Sequence, residues 1–168
     1  QQWANYRLSE GKGIILWGKT NTPYYQLIMG YGSDSNFSSI GHESRGFQGK
    51  RLLGYFESHD EERVMYKALQ FGNDWDGYNI QELNTALSRM PAIGAMSLTI
   101  PGPKMIWHFS DLGMENSLFT CYDGSVNEPD CKLDTKPQPQ WDDNWLNNEN
   151  RREIYDNWSR IIDLKVNE

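Results

Sequence analysis

Leu52-Leu53-Gly54-Tyr55-Phe56-Glu57-Ser58-His59-Asp60 opens on an apolar run and closes on a charged pair. Residues 52–56 read as a short strand without polar alternation, which suits a strand buried on both faces of a parallel sheet. Residues 61–69 follow at once with helical composition, so the stretch is a strand feeding directly into a helix. Charged residues at the carboxyl end of such a strand are where α/β barrels carry their chemistry. His59 and Asp60 are therefore candidate functional residues. A purely local reading also fits: Ser58-x-x-Glu61 matches a capping box, and Asp60 would put a carboxylate at the positive end of the helix.

Two further apolar runs resemble the first. Residues 13–17, Gly-Ile-Ile-Leu-Trp, are closed by Gly18. Residues 105–109, Met-Ile-Trp-His-Phe, follow Pro101-Gly102-Pro103. Helical patterns lie between and after them. The clearest spans about residues 80–98, with Ile80, Leu83, Leu87, Met90, Ile93, Gly94 and Leu98 in phase, and Pro91 inside it is expected to kink or split it. Residues 149–166 place Ile154, Trp158, Ile161, Ile162 and Lys165 on one amphipathic helix, started by Asn147 or Asn148. A weaker helix is expected over 24–29. Strand and helix thus alternate, which implies right-handed crossovers and an α/β fold with a parallel sheet. Residues 30–50 and 110–148 form long connections of the kind that carry function or move.

Bulk properties narrow the function. The 168 residues fit one domain. A net charge of -7 disfavours nucleic acid, whose phosphates require basic surface. No apolar run approaches the roughly 20 residues of a membrane span. The sequence begins at Gln1 with no visible signal peptide, which suggests a cut or boundary there. Seven Trp and nine Tyr supply flat apolar faces with polar edges, suited to sugar rings and interfaces as well as to ordinary cores. Cys121 and Cys131 lack CxxC spacing and a neighbouring His, which disfavours a zinc site; a disulfide closing a polar loop is the better expectation, with two reduced thiols as the alternative. Such a bond points to an oxidising, extracytoplasmic location: periplasm, cell surface or medium.

Phe56-Glu57-Ser58-His59-Asp60 resembles the motif after the seventh barrel strand in the alpha-amylase family of glycoside hydrolases, an aromatic residue and two others before His-Asp. Ile106-Trp107-His108-Phe109-Ser110-Asp111-Leu112-Gly113-Met114 is similar to the family's eighth-strand pattern, Ile-Tyr-Tyr-Gly-Asp-Glu-Ile-Gly-Met. Phe109 stands where the family has Gly, and Asp111 where it has Glu. Pro101-Gly102-Pro103 resembles the Gly-x-Pro that leads into that strand. From Gly49 to about Leu164 the chain looks especially like alpha-amylase-like enzymes of Bacteroidetes polysaccharide utilisation, which carry similar His-Asp-Glu-Glu-Arg and Pro-Gly-Pro-Lys-Met-Ile-Trp runs.

The resemblance implies a partial TIM (β/α)8 barrel, approximately strands six to eight with their helices, residues 1–168 being the C-terminal part of the catalytic barrel. It implies a retaining glycosidase acting on α-glucans such as starch or maltooligosaccharides. Asp60 would be the transition-state stabiliser, with His59 and Arg63 binding substrate. Arg63 could instead orient a carboxylate or the loop, and a solvated helix Arg is its plainer reading. Trp107, His108, Asp111 and Tyr122 are further candidates to face the cleft. The family's nucleophile and general acid lie on its fourth and fifth strands. Glu10 is the sole acidic residue before Gly13 and follows no apolar strand. The chain alone is therefore expected to be inactive, and its open sheet edges to drive self-association. No cofactor is implied within it, although calcium is common in parent enzymes. Residues 73–77, Asn-Asp-Trp-Asp-Gly, are the one calcium-like cluster, but they lack the terminal Glu of a calcium loop and read equally as a polar turn.

Three rivals stay open or weaken. A non-catalytic carbohydrate-binding or interaction module fits the aromatic content. A transglycosidase of the same family would use the same carboxylates. An α/β hydrolase is disfavoured by the lack of a Gly-x-Ser-x-Gly elbow.

Overall fold

The structure, a computed structural model, describes residues 1–127, 131–132 and 143–167. The helices are α1 (Gln2–Ser9), α2 (Asn21–Met29), α3 (Val64–Phe71), α4 (Leu83–Leu98) and α5 (Glu149–Asn167). The strands are β1 (Leu16–Lys19), β2 (Leu52–Tyr55), β3 (Asp74–Trp75) and β4 (Tyr78–Asn79). This is a mixed α/β chain with short strands.

β1 and β2 pair in parallel, in register from Leu16 with Leu52 to Lys19 with Tyr55. β1 lies three residues later than the apolar run suggested, and Gly18 belongs to it rather than ending it. The reason is packing: a Cβ on Gly18 would fall 2.6 Å from Leu52 Cγ, so only glycine lets the strands approach there. On the far side of β2, Gly54 donates to Pro103 and accepts from the Met105 N–H, each at 3.1 Å, which makes a parallel bridge to Lys104. The three neighbours therefore lie side by side in chain order.

The strand expected over 105–109 does not form; the single bridge at Lys104 replaces it. Pro101 and Pro103 bring no N–H to a ladder. Phe109 then turns left-handed (φ 59°) and leads into a 3-10 turn, Ser110–Leu112, so the chain leaves β2 early.

α2, α3, α4 and α5 share one apolar core, and Phe56, the residue after β2, joins the sheet to it. Phe56 sits 5.0 Å from the Tyr24 ring and 6.1 Å from the Trp158 ring, centroid to centroid. α4 runs unbroken through Pro91. α5 packs along it: Ile154 and Trp158 are fully buried, and the Trp158 indole donates to the Met90 carbonyl at 3.1 Å. Asn148 starts α5, its Oδ1 accepting from Asn150 and Arg151 N–H. Residues 73–77 lead through β3 into the β3–β4 turn, where Asp76 and Gly77 both take positive φ, as a two-residue turn of this kind requires. α1 and this hairpin carried no period that the sequence reading picked out.

Candidate functional site

β2 ends by pointing two carboxylates in opposite directions. Glu57 turns inward and is fully buried. Its Oε1 accepts the Val64 N–H at 2.7 Å, its Oε2 accepts from the Ser110 hydroxyl, and Arg63 Nη1 lies 3.4 Å from Oε2. Burial pushes the Glu57 carboxyl upward, opposed first by the charge of Arg63 and then by these hydrogen bonds. The capping-box expectation is corrected here. α3 begins at Val64, and Glu57 rather than Ser58 caps it, because Ser58 instead donates to the Glu61 carboxylate and accepts the Asp60 N–H at 3.1 Å.

His59 and Asp60, by contrast, face outward, with side chains 45 and 54 % exposed. His59 Nε2 lies 3.1 Å from Asp60 Oδ2, and Lys132 donates to Asp60 Oδ1. The Lys132 hydrogen bond, with help from the charges of His59, Lys132 and Lys19, holds the Asp60 carboxyl below the usual range. Lys19, at the end of β1, pairs with buried Glu61 at 2.9 Å, and that hydrogen bond raises the Lys19 ammonium.

Arg63 is not the solvated residue of its plainer reading; it lies against a carboxylate and the end of the third apolar run, the contacts of the alternative in which it orients a carboxylate or the loop. Its side chain is 1 % exposed and is engaged by Glu57, by the His108 carbonyl at 2.7 Å and by His108 Nε2 at 2.8 Å. A guanidinium only donates, so His108 Nε2 accepts and the ring is neutral. Partial desolvation, followed by the charge of Arg63, pushes the His108 imidazole down to about 4. Trp107 packs between the two imidazoles, 6.2 Å from the His59 ring and 4.9 Å from that of His108. His59, Arg63, Trp107 and His108 line one pocket of about 180 Å³. Asp60, Glu61 and Glu62 line another of about 340 Å³, together with Tyr25 and Tyr66.

The expected residues therefore divide. His59, Asp60, Trp107 and His108 gather at the strand end. Asp111 lines an adjoining hollow that Trp107 and His108 also border, with Ile106, Leu146 and Tyr155, and Tyr122 is exposed beside the disulfide. Cys121 and Cys131 are joined, with Cα atoms 5.2 Å apart. Glu57, Ser110 and Lys132 were missed by sequence reasoning. For Lys132 a signal existed, its place directly after a cysteine expected in a disulfide. Among the described residues no three His, Cys, Asp or Glu side chains gather to hold a metal, and no helix is long and apolar enough to cross a membrane.

No protein-family model matches the chain, and a search of curated proteins returns no match.

Proposed function

We propose that this chain contributes the His-Asp strand end of a retaining glycosidase of the alpha-amylase type, acting on α-glucans such as starch or maltooligosaccharides. The observation that carries the reading is the exposed His59–Asp60 pair at the carboxyl end of β2, beside the Trp107 ring. Three parallel neighbours in chain order, with helices between them, agree with adjacent strands of a barrel.

The chemistry follows from what the pair offers. Asp60 is held ionised and solvent-facing, so it accepts hydrogen bonds from sugar hydroxyls. Those bonds strengthen as the sugar ring gains oxocarbenium character, which is the condition for lowering the barrier. His59, whose Nε2 faces Asp60 Oδ2, has Nδ1 left to meet a hydroxyl of the same ring. The attacking and proton-donating carboxylates are different groups. Glu57 is buried in an ion pair, while Glu61 and Glu62, which border the pocket with Asp60, are already engaged by Lys19 and by Ser117 and Leu118. On this reading the attacking and proton-donating groups both lie outside the 168 residues, and the enzyme is completed elsewhere.

The test is turnover of maltoheptaose. The 168-residue chain alone should release no product. In the complete enzyme, Asp60→Asn should lower kcat on the order of 100-fold or more, the scale of losing one preorganised electrostatic group. Unchanged turnover in Asp60→Asn would remove Asp60 from the mechanism. Sugar binding without turnover in every form would favour a carbohydrate-binding module instead.

A further inference from the structure

Lys132 reaches Asp60 across 72 positions of sequence. Two linkages bring it there. Glu62, two residues beyond Asp60, accepts from the Ser117 hydroxyl at 2.6 Å and the Leu118 N–H at 2.9 Å, which fixes residues 117–118 against the strand end. Cys121, three residues further on, is bonded to Cys131, the neighbour of Lys132. Backbone hydrogen bonds join the described residues on either side: Cys121 N–H to Ser125 at 2.8 Å, Asn127 N–H to Phe119 at 3.1 Å and Cys131 N–H to Asn127 at 3.1 Å. Contacts and covalent bonds therefore close a ring from Asp60 through Glu62, Leu118, Cys121, Cys131 and Lys132 back to Asp60.

An exposed lysine–carboxylate pair ordinarily gains little, because the long side chain and its loop must be ordered to make it. A covalent tether changes that balance. It holds the ammonium near the carboxylate at high effective concentration, whether or not the pair itself is strong.

We propose that the Cys121–Cys131 disulfide makes Lys132 a positioning residue for Asp60: the tether seats the ammonium on Oδ1 while His59 holds Oδ2, and the two together fix the plane of the carboxylate. The seating stands on geometry alone; only its consequence for catalysis rests on the glycosidase reading. With its plane fixed, Asp60 meets an incoming hydroxyl through its remaining lone pairs. The other N–H groups of Lys132 lie beside it and could donate to a neighbouring hydroxyl.

The experiment is a pH titration of the Asp60 side-chain carboxyl carbon by NMR on the intact chain. The charged groups acting on it are Lys132, His59 and Lys19, so Lys19 and His59 are left unchanged in every variant. In the oxidised protein the midpoint should lie below the ordinary aspartate value. Lys132→Met should raise it, and Lys132→Arg should restore it. The paired change Cys121→Ser with Cys131→Ser, or reductant on the native chain, should raise it as Lys132→Met does. A midpoint that ignores Lys132→Met overturns the proposal. So does one that moves with Lys132→Met yet ignores loss of the disulfide. Lys132→Met keeps the disulfide and every buried contact, so misfolding cannot account for its effect. Turnover of maltoheptaose by the complete enzyme separates the two readings. If the Asp60 midpoint responds as expected while the complete enzyme turns over no maltoheptaose, the seating holds and the glycosidase reading falls; turnover that is present but indifferent to Lys132 overturns the positioning role and leaves that reading standing.

Discussion

Arg63 carries three partners on one guanidinium, and this couples the pH behaviour of His108 to the fold. Its Nη2 needs a neutral Nε2 on His108, and protonation of that ring would place two donors face to face. The imidazole is held down to about 4, against about 6.5 in an unfolded chain. The sign follows directly. Above pH 6.5 the ring is neutral in both states, and its full contribution to stability is present. As pH falls from 6.5 towards 4, the unfolded chain binds a proton that the folded chain refuses, so stability is lost through that window. Urea midpoints measured from pH 7 to pH 4 should decline, and His108→Gln should flatten the part of the decline above pH 4.5 or so. An equal slope in both proteins would mean that His108 titrates normally. The same network explains what was legible at this scale. A His-Asp pair after an apolar run must leave the sheet, so its exposure could be read from neighbouring residues alone. Glu57 could not be read that way. Its burial depends on Arg63, 6 residues away, and Ser110, 53 residues away, and a single run of sequence contains no sign of that meeting.

Between elements, the α4–α5 contact turns on one missing side chain. A Cβ on Gly94 would fall 2.0 Å from Trp158 Nε1, in the space the indole fills. Gly94→Ala must push Trp158 off its hydrogen bond to Met90 or separate the helices. Overpacking of this kind costs about 1–3 kcal/mol, even though alanine is the better helix former. Thermal melting should show a lower Tm for Gly94→Ala, with Trp158 emission shifted to the red. An unchanged Tm would mean that the helices have slack at this point. α4 and α5 were legible because each buries a stripe at helical period, and period survives without knowledge of partners. Pro91 misled for a related reason. It forbids one internal hydrogen bond, but the apolar stripe of Leu87, Met90, Ile93 and Leu98 continues across it and the packing holds the helix together. The third strand failed for the opposite reason. Its composition is apolar, yet strand identity is settled by ladder partners, and the prolines before it and the left-handed Phe109 after it leave room for only one bridge.

For the whole molecule, the decisive feature is an uncovered side of the sheet. β1 has one ladder neighbour among the described residues, β2, so its outer edge has no strand beside it; there the Lys19 carbonyl accepts from Arg45 Nη2 at 3.0 Å. Ile15 and Trp17 are 52 and 57 % exposed on and beside that strand. Trp17 touches Tyr55 edge-on at 5.5 Å, while the helical core lies behind Phe56. A free edge next to exposed apolar side chains is a template for pairing with another strand. A second copy of the chain is the partner always at hand. The expected behaviour is concentration-dependent association, read by light scattering along a dilution series, with the apparent mass falling towards 19.5 kDa as the chain is diluted. Trp17→Glu puts a charge on the exposed face, away from the helical core, and should shift the series towards monomer while the far-ultraviolet circular dichroism stays unchanged. A wild-type chain that scatters as a monomer throughout would show that the edge and its aromatic face are tolerated by solvent. The partial-barrel reading would then lose the consequence that most directly follows from it.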